Sequence, residues 1–275
     1  MQVASAIAPA RALLRALPRP LGFVPTMGAL HDGHVALIAA ARERCASVVA
    51  SVFVNPLQFG PNEDFAKYPR DFDGDVAKLA RAGVDVLFSP DAATMYPPDF
   101  TTAIDIGPMG TEFEGALRPT HFAGVVTVVA KLLNIVQADV LFVGQKDAQQ
   151  TAVLRKLVRD LAFPVEVAIV PTSRESDGLA RSSRNAYLDE AQRAEAPTLL
   201  QALTGMRDAL RNGASKYDAT EAADKILSPH ALLDYFDVVD ADTFEPIETL
   251  RPPAFVIGAA RFGKTRLLDN LWIPD

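Results

Sequence analysis

Leu21-Gly-Phe-Val-Pro-Thr-Met-Gly-Ala-Leu-His-Asp-Gly-His34 is the stretch from which the rest of this chain can be read. Its first five residues form a short apolar run with Pro and Gly at its borders, the pattern of a buried strand. Helical spacing follows over 35–45, where Val35, Ile38, Ala41 and Cys45 recur on one face. The polar turn between them therefore carries a strand into a helix. A helix start offers unpaired N–H groups and a positive dipole end, a ready seat for phosphate. Gly28 and Gly33 let the backbone come close to a ligand. His31 and His34, three apart at the helix entry, can set two imidazoles side by side toward a bound anion and donate to its oxygens. Histidines at this spacing can also chelate zinc, but no third Cys or His lies nearby in the sequence.

The same alternation continues outward. Apolar, β-branched runs predict strands over 47–54, 84–89, 140–144 and 165–170, and helical periodicity predicts helices over 75–82, 122–138 and 147–161. Strands alternating with helices imply right-handed βαβ units and an α/β fold built on a parallel sheet. Ligands of such sheets bind beyond the carboxyl ends of the strands. The loops 26–34, 55–60, 145–147 and 172–185 are all so placed, and they carry most of the chemically useful side chains. Near residue 173 the pattern changes. A polar hinge over 173–185 precedes helices over 189–212 and 219–227 and strands over 235–241, 254–260 and 265–273. This predicts a nucleotide-binding domain at 1–172 and a smaller α+β domain at 173–275.

Composition narrows the class of function. The 275 residues are 49% hydrophobic and 22% charged, a globular balance, with a formal net charge of −7. That acidity argues against nucleic-acid or acidic-membrane partners. No apolar run reaches the ~20 residues a membrane span needs, and the N-terminus lacks a signal-peptide core. Arg11, Arg15 and Arg19 recur every four residues and fit a first surface helix. The single cysteine, Cys45, precludes an internal disulfide and reads as a small buried hydrophobe in a reduced, cytoplasmic protein.

Several residues suggest chemistry by type and place. Asn55 and Gln58 follow a buried strand, where their amides could bind a hydroxyl and a carboxylate without adding charge. Lys146 ends another strand, positioned to meet phosphates as a point charge. Asp147 beside it could accept from a ribose or orient Lys146. Ser182, Ser183 and Arg184 combine hydroxyls and a guanidinium, a set suited to a leaving pyrophosphate. Arg118 could engage phosphates or a substrate carboxylate, and His121 could cap the following helix. Asp73 and Asp75 could hold Mg²⁺ through water or serve as acidic residues favoured at a helix start.

The His-x-Gly-His turn over 31–34 resembles the signature of the adenylyl-transferring superfamily, which includes nucleotidyltransferases and class I aminoacyl-tRNA synthetases. Pro25–His34, Ser51-Val-Phe-Val-Asn-Pro-Leu-Gln-Phe-Gly60, Tyr68-Pro-Arg70, Arg118-Pro-Thr-His-Phe-Ala-Gly124, Gly144-Gln-Lys-Asp147 with Gln149-Gln150, and Ser182-Ser-Arg-Asn185 together resemble the pantothenate synthetases. The resemblance implies a Rossmann-like sheet with a smaller C-terminal lid. It implies condensation of pantoate with β-alanine, using ATP and Mg²⁺, through an enzyme-bound acyl-adenylate in a homodimer. ATP would lie against Met27, Gly28, Ala29, Leu30, His31, Asp32, Gly33 and His34, and against Gly144, Gln145, Lys146, Asp147, Ser173, Arg181, Ser182, Ser183 and Arg184. Of these, His31, His34, Lys146 and Arg184 would be catalytic. Gln58 and Gln150 would bind substrate with help from Asn55 and Arg118, and Asp75 would be the metal candidate. Arg181, Gln145 and Ala148 depart from the family's usual Met or Leu, Glu and aromatic residue. A nucleotidyltransferase would share the histidine turn but not need the paired glutamines, and a non-catalytic nucleotide-binding protein is a further alternative. Gly258-Ala-Ala-Arg-Phe-Gly-Lys-Thr265 matches the P-loop spacing, yet only ten residues follow it, including a Pro, and they alternate like a strand. Two strands around a turn are expected there.

Overall fold

The computed structural model describes residues 1–274 except Asn62 and Asp64. Its elements run β1 (Gln2–Ala4), α1 (Ile7–Arg15), β2 (Leu21–Thr26), α2 (Asp32–Arg44), β3 (Ser47–Val52), α3 (Phe72–Arg81), β4 (Val86–Phe88), the short α4 (Ala92–Met95) and α5 (Glu114–Leu117), α6 (His121–Val136), β5 (Val140–Gly144), α7 (Ala148–Asp160) and β6 (Glu166–Val170). Then come α8 (Glu190–Glu195), α9 (Thr198–Arg211), α10 (Lys216–Ile226), β7 (Ala231–Asp240), β8 (Ala254–Phe262) and β9 (Thr265–Ile273). They form two compact units, Met1–Gly144 with Val153–Val170, and Gln145–Ala152 with Pro171–Asp275.

In the first unit a six-stranded parallel sheet has the order β1-β4-β3-β2-β5-β6. Its four central strands, β4, β3, β2 and β5, are mostly apolar because both faces are buried, whereas the edge strands β1 and β6 are partly exposed. Phe23, Val49, Val86, Phe88, Leu141 and Val143 pack on one side with α6, while Val24, Val48, Ala50, Leu87 and Phe142 pack on the other with Ile38 and Ala41 of α2 and Leu79 of α3. The chain winds outward from β2 in both directions, so β2 and β5 flank the switch point where such sheets bind ligands. They pair only at Gly22–Val140 and Phe23–Leu141, whereas β2 pairs β3 from Leu21 to Thr26. Beyond Phe23 the β2–β5 ladder stops, and the carboxyl ends of the two strands are free to part.

The second unit is an antiparallel sheet, β7-β8-β9, backed by α9 and α10 through Leu199, Leu203, Met206, Ala219 and Ala223. The P-loop-like string is the β8–β9 hairpin, with Phe262 paired to Thr265 around an exposed Gly263–Lys264 turn. Among the described residues no helix follows it to supply a phosphate cradle.

The structure departs from the sequence reading at four points. The edge strand β1 is only three residues long, too short to show a period. Pro197 divides the single helix expected over 189–212 into α8 and α9, since a proline cannot continue the hydrogen-bond ladder. Val35 is 37% exposed; the buried face of α2 is Leu37, Ile38 and Ala41, and Cys45 is buried beyond the helix end in extended conformation. Finally, residues 145–152 group with the second unit, although the sequence pattern places the boundary at 172/173.

Candidate active site

The histidine turn is built by its own side chains and by α3. His31 is the N-cap of α2, and its Nδ1 accepts the N–H of Gly33 at 3.1 Å. Reciprocally, Nδ1 of His34 accepts the N–H of His31 at 3.2 Å. A backbone N–H can only donate, so both rings, when neutral, carry their proton on Nε2. The ring centroids lie 4.2 Å apart. The side-by-side pair expected from sequence is thus present, and its tautomers are set by backbone.

The backbone phosphate cradle expected at this turn is otherwise occupied. Asp75 accepts the N–H of Ala29 at 2.9 Å and of Leu30 at 2.8 Å, Thr26 Oγ1 accepts that of Gly28, and the N–H of His34 returns to the carbonyl of His31. One turn further along α3, Lys78 Nζ donates to the carbonyl of Leu30 at 2.7 Å. Gly28 has φ +83, and a Cβ there would lie 2.9 Å from Asp75 Oδ2. Position 28 therefore requires glycine for both conformation and space. An anion at this turn would meet imidazole Nε2–H groups rather than those amides.

Asp75, the metal candidate, is committed to the backbone of this turn. It is 1% exposed with both oxygens accepting backbone N–H groups. Among the described residues no group of three or more His, Cys, Asp or Glu could hold a metal ion. Asp75 is a structural acceptor, and Asp73 beside it lies in the same first turn of α3.

Asn55 and Gln58 sit at the end of β3, in and before a 3₁₀ turn over Pro56–Gln58. Asn55 is 1% exposed and saturated. Its Oδ1 accepts the Tyr96 hydroxyl at 2.7 Å and the N–H of Leu57 at 3.3 Å, while Nδ2 donates to Gly124 O and Gln58 Oε1, both at 3.1 Å. The substrate-binding role expected of Asn55 is corrected to a supporting one. Gln58 Nε2 points instead to Met27 Sδ at 3.0 Å, a weak acceptor that a better one can replace. Close approach of α6 brings Gly124 O within reach of Asn55, since a Cβ on Gly124 would meet Leu57 O at 2.3 Å.

Arg118 and His121 also work on Gln58. Arg118 pairs with Glu63 through Nε at 2.9 Å and Nη2, and Nη2 also donates to the backbone carbonyl of Gln58 at 3.2 Å. Burial raises the Glu63 carboxyl, but the hydrogen bonds and charge of Arg118 more than reverse this and hold it below its ordinary range. Arg118 Nη1 lies 3.1 Å from His121 Nε2 and must donate, so His121 carries its proton on Nδ1 and donates it to the Gln58 carbonyl at 3.0 Å. Burial, helped by the Arg118 charge, pushes His121 down to about 4. The cap expected of His121 is replaced by this clamp, which also engages Arg118.

In the second unit, two neighbouring residues of β9 assemble the remaining segments. Asn270, 1% exposed, donates from Nδ2 to the carbonyls of Gln145 at 2.9 Å and Lys146 at 2.8 Å, and its Oδ1 accepts Gln145 Nε2 at 3.3 Å. Asp269 takes a bidentate pair from Arg174 at 2.6 and 2.9 Å. Arg174 lies in a tight turn that brings Ser173 and Arg181 together, the N–H of Arg181 reaching Ser173 O at 2.9 Å. Ser182 caps the following 3₁₀ turn, Ser183–Tyr187, by accepting the N–H of Arg184 at 3.3 Å, and Asn185 Nδ2 ties that turn to Ala180 O. Lys146 pairs with Asp147 at 3.2 Å, the orienting contact that was one of the two expected of Asp147. Gln150 is half-buried on the first turn of α7, beside the buried Gln149. Asp269 and Asn270 escaped the sequence reading. The signal was there, since adjacent polar residues interrupt an otherwise alternating strand.

Comparison with known proteins identifies the family. The family model described as Pantoate-beta-alanine ligase matches residues 2–272. A pantothenate synthetase from Acidothermus cellulolyticus is 50% identical over 274 residues, covering 98% of this chain and 90% of the relative. The crystal structure of pantothenate synthetase from Thermus thermophilus superposes with a TM-score of 0.95 at 49% identity, with both chains fully covered. A pantoate-beta-alanine ligase from Francisella tularensis, solved with Beta-gamma ATP and beta-alanine, gives a TM-score of 0.77 at 33% identity over 99% of this chain and 97% of that one. Matched by that family model over residues 2–272 and by these relatives over nearly its whole length, this chain belongs to the pantoate–beta-alanine ligase family.

Proposed function

We propose that the chain joins pantoate to β-alanine in two steps, using ATP. The pantoate carboxylate attacks the α-phosphorus and pyrophosphate leaves; the amine of β-alanine then attacks the acyl carbon of the resulting pantoyl-adenylate and AMP leaves. Phosphoryl-type transfer is catalysed mainly by positioning and by stabilising charge. The observation that carries the reading is the His31–His34 pair, whose Nδ1 atoms are engaged by backbone so that each ring can present Nε2–H to phosphate oxygens. Lys146 and Arg184 would act as cations on the same triphosphate, with Ser182 and Ser183 as hydroxyl donors. Gln58 and Gln150 would hold pantoate, and Gln58 also β-alanine. Mg²⁺ would come with the nucleotide, in keeping with its preference for phosphate oxygens and water over an all-protein cage. We assign the nucleotide and pantoate to domain 1–172 and lid closure to 173–275. On the family resemblance the enzyme acts as a cytoplasmic homodimer, which sedimentation velocity of the purified protein checks.

Exchange of labelled pyrophosphate into ATP tests the order of steps. It should require pantoate and proceed without β-alanine; exchange that needs β-alanine would refute the adenylate. His34→Ala should slow the exchange by the ~3–4 kcal/mol typical of a lost oxyanion-type donor.

A further inference from the structure

The geometry points to Tyr96 as a positioning residue that acts through Asn55 to fix the amide of Gln58. The inference rests on the reading that Gln58 binds pantoate. Each hydrogen bond in the chain has a determined direction. The carbonyl of Gly124 can only accept and the N–H of Leu57 can only donate, so the Asn55 amide has one orientation. Its oxygen therefore faces Tyr96, whose hydroxyl must donate. Its nitrogen faces Gln58, whose Oε1 must accept. Gln58 is left with Nε2 as its working end, a donor for a carboxylate or hydroxyl oxygen and a mismatch for an ammonium group.

Tyr96 is held firmly enough for this task. It follows α4, and its ring centroid lies 5.0 Å from Phe100 and 6.0 Å from Phe53. Lys131 Nζ stands 5.7 Å from the Tyr96 ring and 4.7 Å from that of Phe100, and it donates to the carbonyl of Met95. These contacts involve the ring and the preceding residue, not the hydroxyl. Burial raises the tyrosine pKa, so the hydroxyl stays a donor at working pH. The hydroxyl is thus separable from the packing, and phenylalanine removes only the hydrogen bond.

Steady-state kinetics of Tyr96→Phe and Gln58→Ala, singly and combined, test the assignment. Tyr96→Phe should raise the KM for pantoate about fivefold, the size of one lost hydrogen bond, with the KM for ATP nearly unchanged. In the Gln58→Ala background the same change should have no further effect on pantoate. A Tyr96→Phe enzyme whose pantoate KM stays within about twofold of the parent, or whose ATP and pantoate KM rise alike, would overturn the inference. If Gln58→Ala itself leaves pantoate binding intact, both the reading of Gln58 and the role of Tyr96 fall. If Gln58→Ala weakens pantoate and Tyr96→Phe does not, only Tyr96 is lost.

Discussion

Two turns that follow parallel strands, residues 27–31 after β2 and 145–147 after β5, are held in opposite chemical senses. In the first, the buried carboxylate of Asp75 accepts consecutive N–H groups. In the second, the carboxamide of Asn270 donates to consecutive carbonyls. An anion that binds N–H groups occupies donors that a phosphate could have used, so the first turn has its imidazoles to offer instead. An amide that binds carbonyls leaves N–H groups and the Lys146 ammonium outside its own contacts. On the proposed reading, a strand-end turn need not be a backbone phosphate cradle to serve a nucleotide. What holds the turn decides which of its groups can do the binding.

Asp75→Asn should break the first arrangement most severely. An amide keeps one acceptor but turns an NH₂ toward a backbone N–H, and hydrogen bonds to a charged group contribute about 1.5–3 kcal/mol each. We expect a stability loss of about 3 kcal/mol by urea titration and a fall in ligation rate on the order of 100-fold as the histidines shift. Near-parental activity would mean that the turn holds its shape without the carboxylate.

His121 tests the same half through pH. The unfolded imidazole protonates near 6.5, whereas burial and the Arg118 charge keep the folded one neutral down to about 4. The stability it contributes is complete above 6.5 and is lost as pH falls from there toward 4. The loss is about 3 kcal/mol at most, from the size of the shift. His121→Asn keeps a donor for the Gln58 carbonyl without a group that titrates in this range, so its urea midpoint should fall less steeply between pH 6.5 and pH 4. Equal slopes for parent and variant would remove His121 from the clamp.

For the second arrangement, Asn270→Ala leaves two carbonyls without their shared donor. A stability loss of about 2 kcal/mol is expected, together with a KM for ATP raised about tenfold because Lys146 loses its fixed backbone. Asn270→Asp should be worse, since it places a carboxylate against two carbonyl oxygens. A change in kcat alone would argue that the 145–147 turn holds itself.

The parallel sheet was legible because its central strands are mostly apolar and its helices periodic, and both signals are local. The histidine turn was legible for the same reason, since its residues are contiguous. What stayed hidden is the set of partners that meet only in the folded chain. Asp75 reads as a helix-start acid and is a turn clamp 46 residues from Ala29. Arg118 reads as a ligand for phosphate or a substrate carboxylate, and its pairing with Glu63 does not show in the sequence. Asn270 lies 124 residues from the lysine it supports. Residue type disclosed that these groups are polar and useful; only burial and direction of hydrogen bonding separate the groups that touch substrate from those that hold them.

The smallest expected effect sharpens the comparison from the side of motif reading. Gly258–Thr265 has the spacing of a phosphate loop, and Lys264 would be its phosphate-binding lysine. Yet Lys264 is exposed in a hairpin turn and is followed by the strand β9, which contributes through Asp269 and Asn270 rather than through a helix start. Without a following helix the backbone cannot aim successive N–H groups at a phosphate, and the lysine has no cradle to complete. Lys264→Ala should leave the KM for ATP and the ligation rate within about twofold of the parent, the scale of an ordinary surface change. A loss approaching that of His34→Ala would place the nucleotide at this hairpin and undo the assignment of both strand-end turns.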